Sequence, residues 1–179
     1  MRKASTEKTN QTEVLFKADI AAVSLAAAEL FVTAAHASIK RSGRFTVALS
    51  GGSTPRVLYK MLAEKPFAQH VPWDKTHIFW VDERCVPVDD LSSNYGAARK
   101  DLFVRIPIPP ENIHRMPGSS PPEEGARMYQ EMLARFFELQ EGQFPVFDLI
   151  FLGVGRDGHV ASLFPGQPAV EESGQMVVH

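Results

Sequence analysis

Residues 147–166, FDLIFLGVGRDGHVASLFPG, carry the clearest indication of the fold. It begins as an apolar run, and short apolar runs closed by glycine are typical of strands buried on both faces of a parallel sheet. The chain then turns through glycines such as Gly158, which can adopt positive φ or let another group approach the backbone. Asp157 and His159 lie in this turn. Ligands of open parallel sheets bind beyond the carboxyl ends of the strands, so this stretch is predicted to present a histidine to a small molecule.

Length and composition narrow the class of protein. The chain has 179 residues, of which 44% are hydrophobic and 22% charged, enough for one globular domain with a core. A formal net charge of −2 gives no basic footprint for nucleic acid or a membrane surface. No apolar run approaches the roughly 20 residues of a membrane span, and polar residues 1–15 predict a frayed leader. The single cysteine, Cys85, cannot form an internal disulfide, which fits a cytoplasmic protein. From the charge and the lack of a long apolar run, we expect neither nucleic-acid nor membrane partners.

Helices and strands alternate along the chain. Periodicity predicts helices over residues 16–40, 55–63, 92–103 and 123–139, and strands over residues 44–49, 76–81 and 146–152. This alternation predicts right-handed crossovers and a mostly parallel, Rossmann-like α/β sheet with helices on both faces, in one domain over residues 16–179. In the last helix, one stripe is predicted to be core: Met128, Met132, Leu133 and Phe136.

The first strand runs directly into a turn of small residues that opens a helix: Ser50, Gly51, Gly52, Ser53 and Thr54. The first N–H groups of a helix lack internal partners and carry partial positive charge, so this turn suits a phosphate. The glycines let the backbone approach the ligand, and the hydroxyls add donors. No Gly-Lys-Ser/Thr follows, which excludes a Walker A loop. The alternative is a tight turn in which Ser53 or Thr54 is a plain N-cap.

The second strand ends in charged residues. Asp82, Glu83 and Arg84 follow it, and Arg84 can hold an anion in fork geometry. The alternative is that Asp82 and Arg84 merely pair at the rim of the sheet. Asn94 lies in the first turn of the next helix, near the same edge, and the neighbouring Cys85 is interpreted as a spectator thiol.

The residues that follow the three strands suit hydrolysis of a phosphorylated ester or lactone. His159 is the candidate general base, with Asp157 to orient it. Arg84, and backbone N–H groups near Gly158, can stabilise an oxyanion. No Gly-x-Ser-x-Gly elbow is present, and the histidines lack metal-ligand spacing, so we predict neither covalent serine catalysis nor a metal.

A competing interpretation is dinucleotide binding. Residues 153–158, GVGRDG, form a literal G-x-G-x-x-G after a strand. The motif lies late in the chain, Pro165 leaves little room for the packing helix, and the acid expected about 20 residues further on falls at the end of the chain. We therefore predict no NAD and no other cofactor.

Three motifs, in this order, resemble 6-phosphogluconolactonase: residues 50–55 (SGGSTP), residues 80–87 (WVDERCVP) with 93–95 (SNY), and residues 147–165. The resemblance implies metal-independent hydrolysis of 6-phosphoglucono-1,5-lactone to 6-phosphogluconate in the oxidative pentose phosphate pathway. It implies that His159 is the general base, that Arg84 contacts the substrate or the oxyanion, and that the turn at residues 50–54 binds substrate.

Glucosamine-6-phosphate deaminase is similar through the strand, the glycine turn and Asp157-Gly158-His159. That similarity breaks at Phe164, where the deaminase carries a catalytic glutamate, and at Arg84, where it carries a tyrosine. The chain departs from the lactonase pattern at Val160, which replaces a threonine, and it lacks the C-terminal strand and helix of that family. A deaminase-like isomerase and a non-catalytic sugar-phosphate binding module are therefore the alternatives, and we expect a monomer or weak homo-oligomer.

Overall fold

The structure is a computed structural model that describes residues 12–179. Its helices and strands are, in chain order, α1 (Ile20–Ser42), β1 (Phe45–Leu49), α2 (Ser53–Leu62), α3 (Phe67–His70), β2 (Thr76–Trp80), α4 (Asn94–Asp101), α5 (Pro122–Phe136) and β3 (Leu149–Ile150). Short 3₁₀ helices occupy Trp73–Lys75, Phe103–Arg105, Pro110–Asn112 and Pro168–Glu171.

The three strands form one parallel sheet in the order β2-β1-β3. β1 is central and pairs Leu49 with Trp80 on one side and Val47 with Leu149 on the other. Every residue of β1 is buried, as expected of a central parallel strand covered on both faces. The predicted parallel sheet is confirmed.

Side chains of β1 alternate between two cores. Val47 and Leu49 belong to a large cluster with residues of α1, α2 and α4, whereas Ala48 and Phe79 pack against α5. This alternation is the period-two geometry of a strand. Helices therefore cover both faces of the sheet, which confirms the predicted α/β fold class.

Helix α1 begins at Ile20, four residues later than predicted, because Asp19 caps it. The Asp19 carboxylate accepts a hydrogen bond of 2.8 Å from the Ala22 N–H. The helix ends at Ser42, and its C-cap Gly43 has a left-handed φ of 78°, a conformation that favours glycine at this position. The polar leader predicted over residues 1–15 lies, for residues 1–11, outside the described part of the chain.

By length and composition alone, α1 could cross a membrane, since its most apolar window has a mean hydropathy of 1.6. The prediction that no run is apolar enough was therefore wrong for this helix. The many alanines of α1 count as apolar in the mean hydropathy, although they are too small to form an obvious run of large apolar side chains in the sequence. In the structure, Ala28, Phe31 and Ala35 are fully buried in the core, as in a helix that packs on a sheet.

The predicted core stripe of α5 is partly wrong. Leu133 is buried, but Met128 is 41% exposed and the most buried side chain is Tyr129, which was not predicted. The tyrosine hydroxyl accepts from the Trp80 N–H at 3.0 Å, so its polar tip is satisfied at the outer edge of β2. Tyr129 and Leu133, four residues apart, lie on the buried face of α5, and Met128 lies beside that face.

The third strand is shorter and more exposed than predicted. Only Leu149–Ile150 forms β3, and the flanking Val146 and Leu152 are 83% and 59% exposed. Within residues 12–179, β3 pairs with β1 alone, whereas the outer edge of β2 receives the His114 N–H on the Ile78 carbonyl at 2.8 Å. An apolar run does not distinguish a central strand from an edge strand, which is why the prediction of burial on both faces was wrong.

Candidate functional site

The turn after β1 leaves the start of α2 open. Gly52 is the N-cap of α2, with a φ of 103°, and no side chain of the described residues caps this terminus. The alternative that Ser53 or Thr54 is a plain N-cap is therefore wrong. The N–H groups at the start of α2 are available to an anion, as the phosphate interpretation requires.

Ser50 joins this turn to the segment after β3. Its hydroxyl donates to the Phe151 carbonyl oxygen at 2.8 Å, and its own carbonyl accepts from the hydroxyl of the buried Tyr59. Burial, with a smaller contribution from Asp82, raises the pKa of Tyr59, so the phenol is a stable donor. The Ser50 hydroxyl therefore holds two loops together in this structure rather than pointing freely at a ligand.

The loop after β2 meets the same turn. An Arg84 Nη1 donates to the Asn94 side-chain oxygen, and the Asn94 amide donates to the Asp82 carbonyl oxygen at 2.9 Å. A Cβ at Gly51 would lie 2.5 Å from Arg84 Nη1, so the guanidinium lies directly over the backbone of the turn. The alternative in which Asp82 and Arg84 only pair with each other is wrong, because the partner of Arg84 is Asn94.

The third loop holds the Asp–His pair. His159 Nδ1 lies 2.6 Å from Asp157 Oδ1, and the imidazole is 34% exposed rather than packed in the core. This hydrogen bond holds the pKa of Asp157 below its usual range, so the group is a carboxylate that can only accept. The proton therefore lies on Nδ1, and in the neutral ring Nε2 is free to accept another.

Glycine is required beneath the imidazole. A Cβ at Gly155 would overlap the His159 ring and lie 2.7 Å from Asp157 Oδ1. Gly158 has a φ of 87°, which turns the chain between the acid and the base. Phe164 covers the other side of the ring, with 4.8 Å between the two ring centroids.

The third loop is tied to the second one by Ser162. Its hydroxyl donates to Asp82 Oδ2 at 2.7 Å. Ala161, directly before it, has a φ of 54°, a left-handed conformation that non-glycine residues adopt at a cost of about 1 kcal/mol. All three loops are therefore linked pairwise by contacts among their own residues.

Sequence reasoning assigned no role to three residues that organise the site: Tyr59, Glu83 and Ser162. Glu83 accepts hydrogen bonds from the start of α4. Glu83 lies between a strand and the start of the next helix in the sequence. A carboxylate in such a place is a candidate cap for that helix, and this signal could have identified Glu83. Nothing local to Ser162 or Tyr59 indicated their partners.

A cavity of about 570 Å³ lies beside these loops, on the face of the sheet covered by α5. Asp82 and Arg84 line it, but His159 and the turn at residues 50–54 do not, and most of its wall is apolar. An ester carbonyl must reach His159, so we place the candidate site at the junction of the three loops rather than inside this cavity.

The structure also bears on the metal and dinucleotide interpretations. Among residues 12–179, no group of three or more His, Cys, Asp or Glu side chains is placed to hold a metal ion. No helix begins in the segment that follows Gly158, over residues 159–167. The G-x-G-x-x-G motif therefore lacks the helix N-terminus that would bind a pyrophosphate.

An open helix N-terminus, an arginine and an Asp–His pair at one edge of a parallel sheet define an α/β protein suited to an anionic ligand and a proton transfer. A sequence model described as "Glucosamine-6-phosphate isomerases/6-phosphogluconolactonase" matches residues 18–179. The chain belongs to this family.

Individual relatives agree with this assignment. The chain is 47% identical over 141 residues to a 6-phosphogluconolactonase of Synechocystis sp., and 41% identical over 158 residues to one of Haemophilus influenzae. These alignments cover 78% and 83% of the chain. The solved 6-phosphogluconolactonase of Trypanosoma cruzi superposes with a TM-score of 0.82 at 29% identity, over 96% of this chain and 69% of that one. A monomeric glucosamine-6-phosphate deaminase, 22% identical with a TM-score of 0.64, shares the fold.

The chain spans 57% of the length of the Synechocystis relative and 66% of that of the Haemophilus relative. The match over residues 18–179 establishes the family. Because the chain spans only part of these relatives, the reaction of this chain does not follow from their names.

Proposed function

We propose that this chain carries the site for hydrolysis of 6-phosphoglucono-1,5-lactone to 6-phosphogluconate, in the oxidative pentose phosphate pathway. The observation that carries the proposal is the Asp157–His159 pair, held at 2.6 Å with the imidazole at the surface and Nε2 free. The names of the Synechocystis and Haemophilus relatives support the same substrate.

The proposed mechanism assigns a role to each loop. The substrate phosphate binds the open start of α2, at the turn of residues 50–54, which places the lactone ring between Arg84 and His159. His159 Nε2 takes a proton from water as the water oxygen attacks the lactone carbonyl. The oxyanion is stabilised by Arg84 and by backbone N–H groups near Gly158. When the ring C–O bond breaks, the leaving oxygen receives the proton from the imidazolium.

The remaining predicted residues support this geometry. Asp157 fixes the tautomer of the base. Asp82 and Asn94 hold the loop that carries Arg84, through the Ser162 hydroxyl and the guanidinium respectively. In this proposal neither a metal nor a cofactor takes part, because water, a base and an oxyanion donor suffice for ester cleavage.

A deaminase-like isomerisation is not favoured. Ring opening and isomerisation of an amino sugar need a group that transfers a proton beside the histidine. Phe164 occupies the place next to the His159 ring, and its apolar side chain cannot carry a proton. A binding module that holds a sugar phosphate without turnover is the remaining alternative.

Cytoplasmic location, a monomeric or weakly oligomeric state, and the lack of nucleic-acid and membrane partners stay predictions. The single domain over residues 16–179 also stays a prediction. The rice relatives are named probable 6-phosphogluconolactonases, and their names add "chloroplastic".

The test is lactone hydrolysis by this chain, corrected for the spontaneous reaction, with glucosamine 6-phosphate as a second substrate. We expect lactone hydrolysis that falls by about 100-fold or more in His159→Ala, the usual effect of losing a general base. The exposed His70→Ala is the matched control and should retain the rate. Release of ammonia from glucosamine 6-phosphate would favour the isomerase instead.

Binding is measured separately from turnover. 6-Phosphogluconate should raise the melting temperature of the chain, because a ligand that binds the native state stabilises it. A higher melting temperature without any hydrolysis would identify a binding module. An unchanged melting temperature at millimolar 6-phosphogluconate would contradict the proposed phosphate site.

A further inference from the structure

The Glu83 side chain is bound by the loop and the helix that follow it in the chain. Its Oε1 accepts from the Arg84 N–H at 2.8 Å and the Asn94 N–H at 2.7 Å. Its Oε2 accepts from the Tyr95 N–H at 2.8 Å and the Ser93 hydroxyl at 3.2 Å. The two oxygens therefore bind the first two N–H groups of α4 and fix the loop that precedes the helix.

This capping closes the N-terminus of α4 to other anions. The Ser93 hydroxyl accepts the next N–H group, that of Gly96, at 3.0 Å. A helix N-terminus attracts negative charge through its first N–H groups, and here a side-chain carboxylate already occupies them. α2 starts at the same edge of the sheet and lacks a side-chain cap among the described residues. The two helix termini are thus distinguished: one is filled by the protein, the other is open to a ligand.

The same contacts determine where Arg84 points. Because Glu83 holds the backbone of Asn94, the Asn94 amide can bind the Asp82 carbonyl oxygen with its NH₂ group and the Arg84 guanidinium with its oxygen. The guanidinium is thereby placed over Gly51 by a neutral partner. Within residues 12–179 Arg84 forms no ion pair, so its positive charge is not neutralised by the protein.

We propose that Glu83 is a positioning residue: by capping α4 it holds Asn94 and Arg84 over the turn at residues 50–54, and so directs the substrate phosphate to α2. This inference rests on the proposed function for the identity of the ligand. Glu83 itself contacts no reacting atom and acts through Arg84.

The experiment is a double-mutant cycle of Glu83→Gln and Arg84→Ala, since coupled residues give non-additive effects. The glutamine side chain would present an NH₂ group to N–H donors, which disturbs the cap while conserving size. We expect Glu83→Gln to lower kcat/KM for the lactone by about 10-fold or more, because small misplacements of a site are costly. In the Arg84→Ala background the same change should have an effect of less than about 2-fold.

The same cycle can be measured without turnover. Calorimetry gives the affinity for 6-phosphogluconate of the unmutated chain, the two single variants and the double variant. If the unmutated chain binds but hydrolyses nothing, the proposed function fails and the affinities still decide the role of Glu83. Glu111→Gln, an exposed glutamate elsewhere, is the control and should change neither quantity.

Equal losses from Glu83→Gln in both backgrounds would overturn the proposal, since they would mean that Glu83 acts independently of Arg84. Binding of 6-phosphogluconate by none of the four proteins would overturn it as well. Should Glu83→Gln fail to fold, Glu83→Asp takes its place in the cycle, because it keeps the charge but is too short to bridge all four donors.

Discussion

Two adjacent glycines in the turn after β1 are required for different physical reasons. Gly52 has a φ of 103°, a conformation that side-chain-bearing residues rarely adopt. Gly51 does not have such a φ, but Arg84 and Asn94 occupy the space where its Cβ would lie. The first position is restricted by backbone strain, whereas the second is restricted by the side chains that pack against it.

We therefore expect Gly51→Ala to lower kcat/KM for the lactone by about 10- to 100-fold, because it displaces Arg84 from the turn. Its free energy of unfolding should fall as well, by about 1–3 kcal/mol, since the new Cβ would lie 1.6 Å from the side-chain oxygen of Asn94, which is buried and has to move. Steady-state kinetics and urea unfolding measure the two effects. Wild-type kinetics in this variant would show that the approach of the guanidinium to the turn is unimportant.

Gly142→Ala is the matched control for strain without a site. Gly142 has a φ of 77°, and a Cβ there would meet nothing within 4 Å. That variant should lose about 1 kcal/mol of stability and retain the activity of the unmutated chain.

At the scale of elements, a single carboxylate sets the position of β3. Asp148 Oδ2 accepts from both the Thr46 N–H, at 2.8 Å, and the Thr46 hydroxyl, at 2.9 Å. Its other oxygen binds the Arg41 guanidinium. β3 has only two residues, so this clamp onto β1 contributes much of what holds the strand that leads to His159.

Asp148→Ala should lower the free energy of unfolding by about 2–3 kcal/mol, because hydrogen bonds to a charged acceptor are lost and the Thr46 donors are left unpaired. Arg41→Ala is the control: this side chain is 66% exposed, and its ion pair should contribute less than about 1 kcal/mol. Urea unfolding compares the two. Equal losses would assign the clamp to the ion pair rather than to Thr46.

The sequence predicted the elements that are encoded by a local pattern of residues. It missed the features that depend on contacts between residues far apart in the chain. β1 and β2 lie within one residue of the predicted strands, because the apolar runs that encode them are central or well covered. The predicted third strand was too long, because the length and exposure of an edge strand depend on the strands that pair with it, which the local sequence does not show. The three loops were predicted from the order of motifs, but the Ser162–Asp82 contact joins residues 80 positions apart, which no spacing rule reveals. Likewise, the cap by Glu83 depends on the path of the loop between β2 and α4.

On the scale of the whole molecule, the two ends of the sheet have different roles. The candidate site lies at the carboxyl ends of the strands, whereas His77, near the start of β2, marks the opposite end. There His77 Nδ1 lies 3.2 Å from His114 Nε2, and the Phe136 ring contacts both imidazoles. The Arg44 guanidinium lies 4.6 Å from the centre of the same ring. Two half-buried histidines and an arginine thus share a small apolar space.

This cluster should make the fold sensitive to acid. Burial, and then the neighbouring His77, lower the pKa of His114 to about 4, and burial followed by Arg44 lowers the pKa of His77. Between about pH 6.5 and pH 4 the unfolded chain therefore binds more protons at His114 than the native chain does. The contribution to stability is complete above about pH 6.5 and is lost as the pH falls toward 4. The carboxylates with lowered pKa, such as Asp101, titrate below about pH 4 and do not contribute in this window.

We expect the free energy of unfolding to fall by about 1–2 kcal/mol over this window on account of His114, a figure reduced for its partial exposure to solvent. His114→Gln should flatten the pH dependence, because the group that takes up the proton on unfolding is gone. His70→Gln removes an exposed histidine and should leave the slope unchanged. Urea unfolding at a series of pH values measures each slope, and an unaltered slope in His114→Gln would place the acid sensitivity elsewhere. Since the cluster lies at the end of the sheet away from His159, lactone hydrolysis by His114→Gln at neutral pH should match that of the unmutated chain, which separates the acid lability of the fold from the chemistry at the opposite edge.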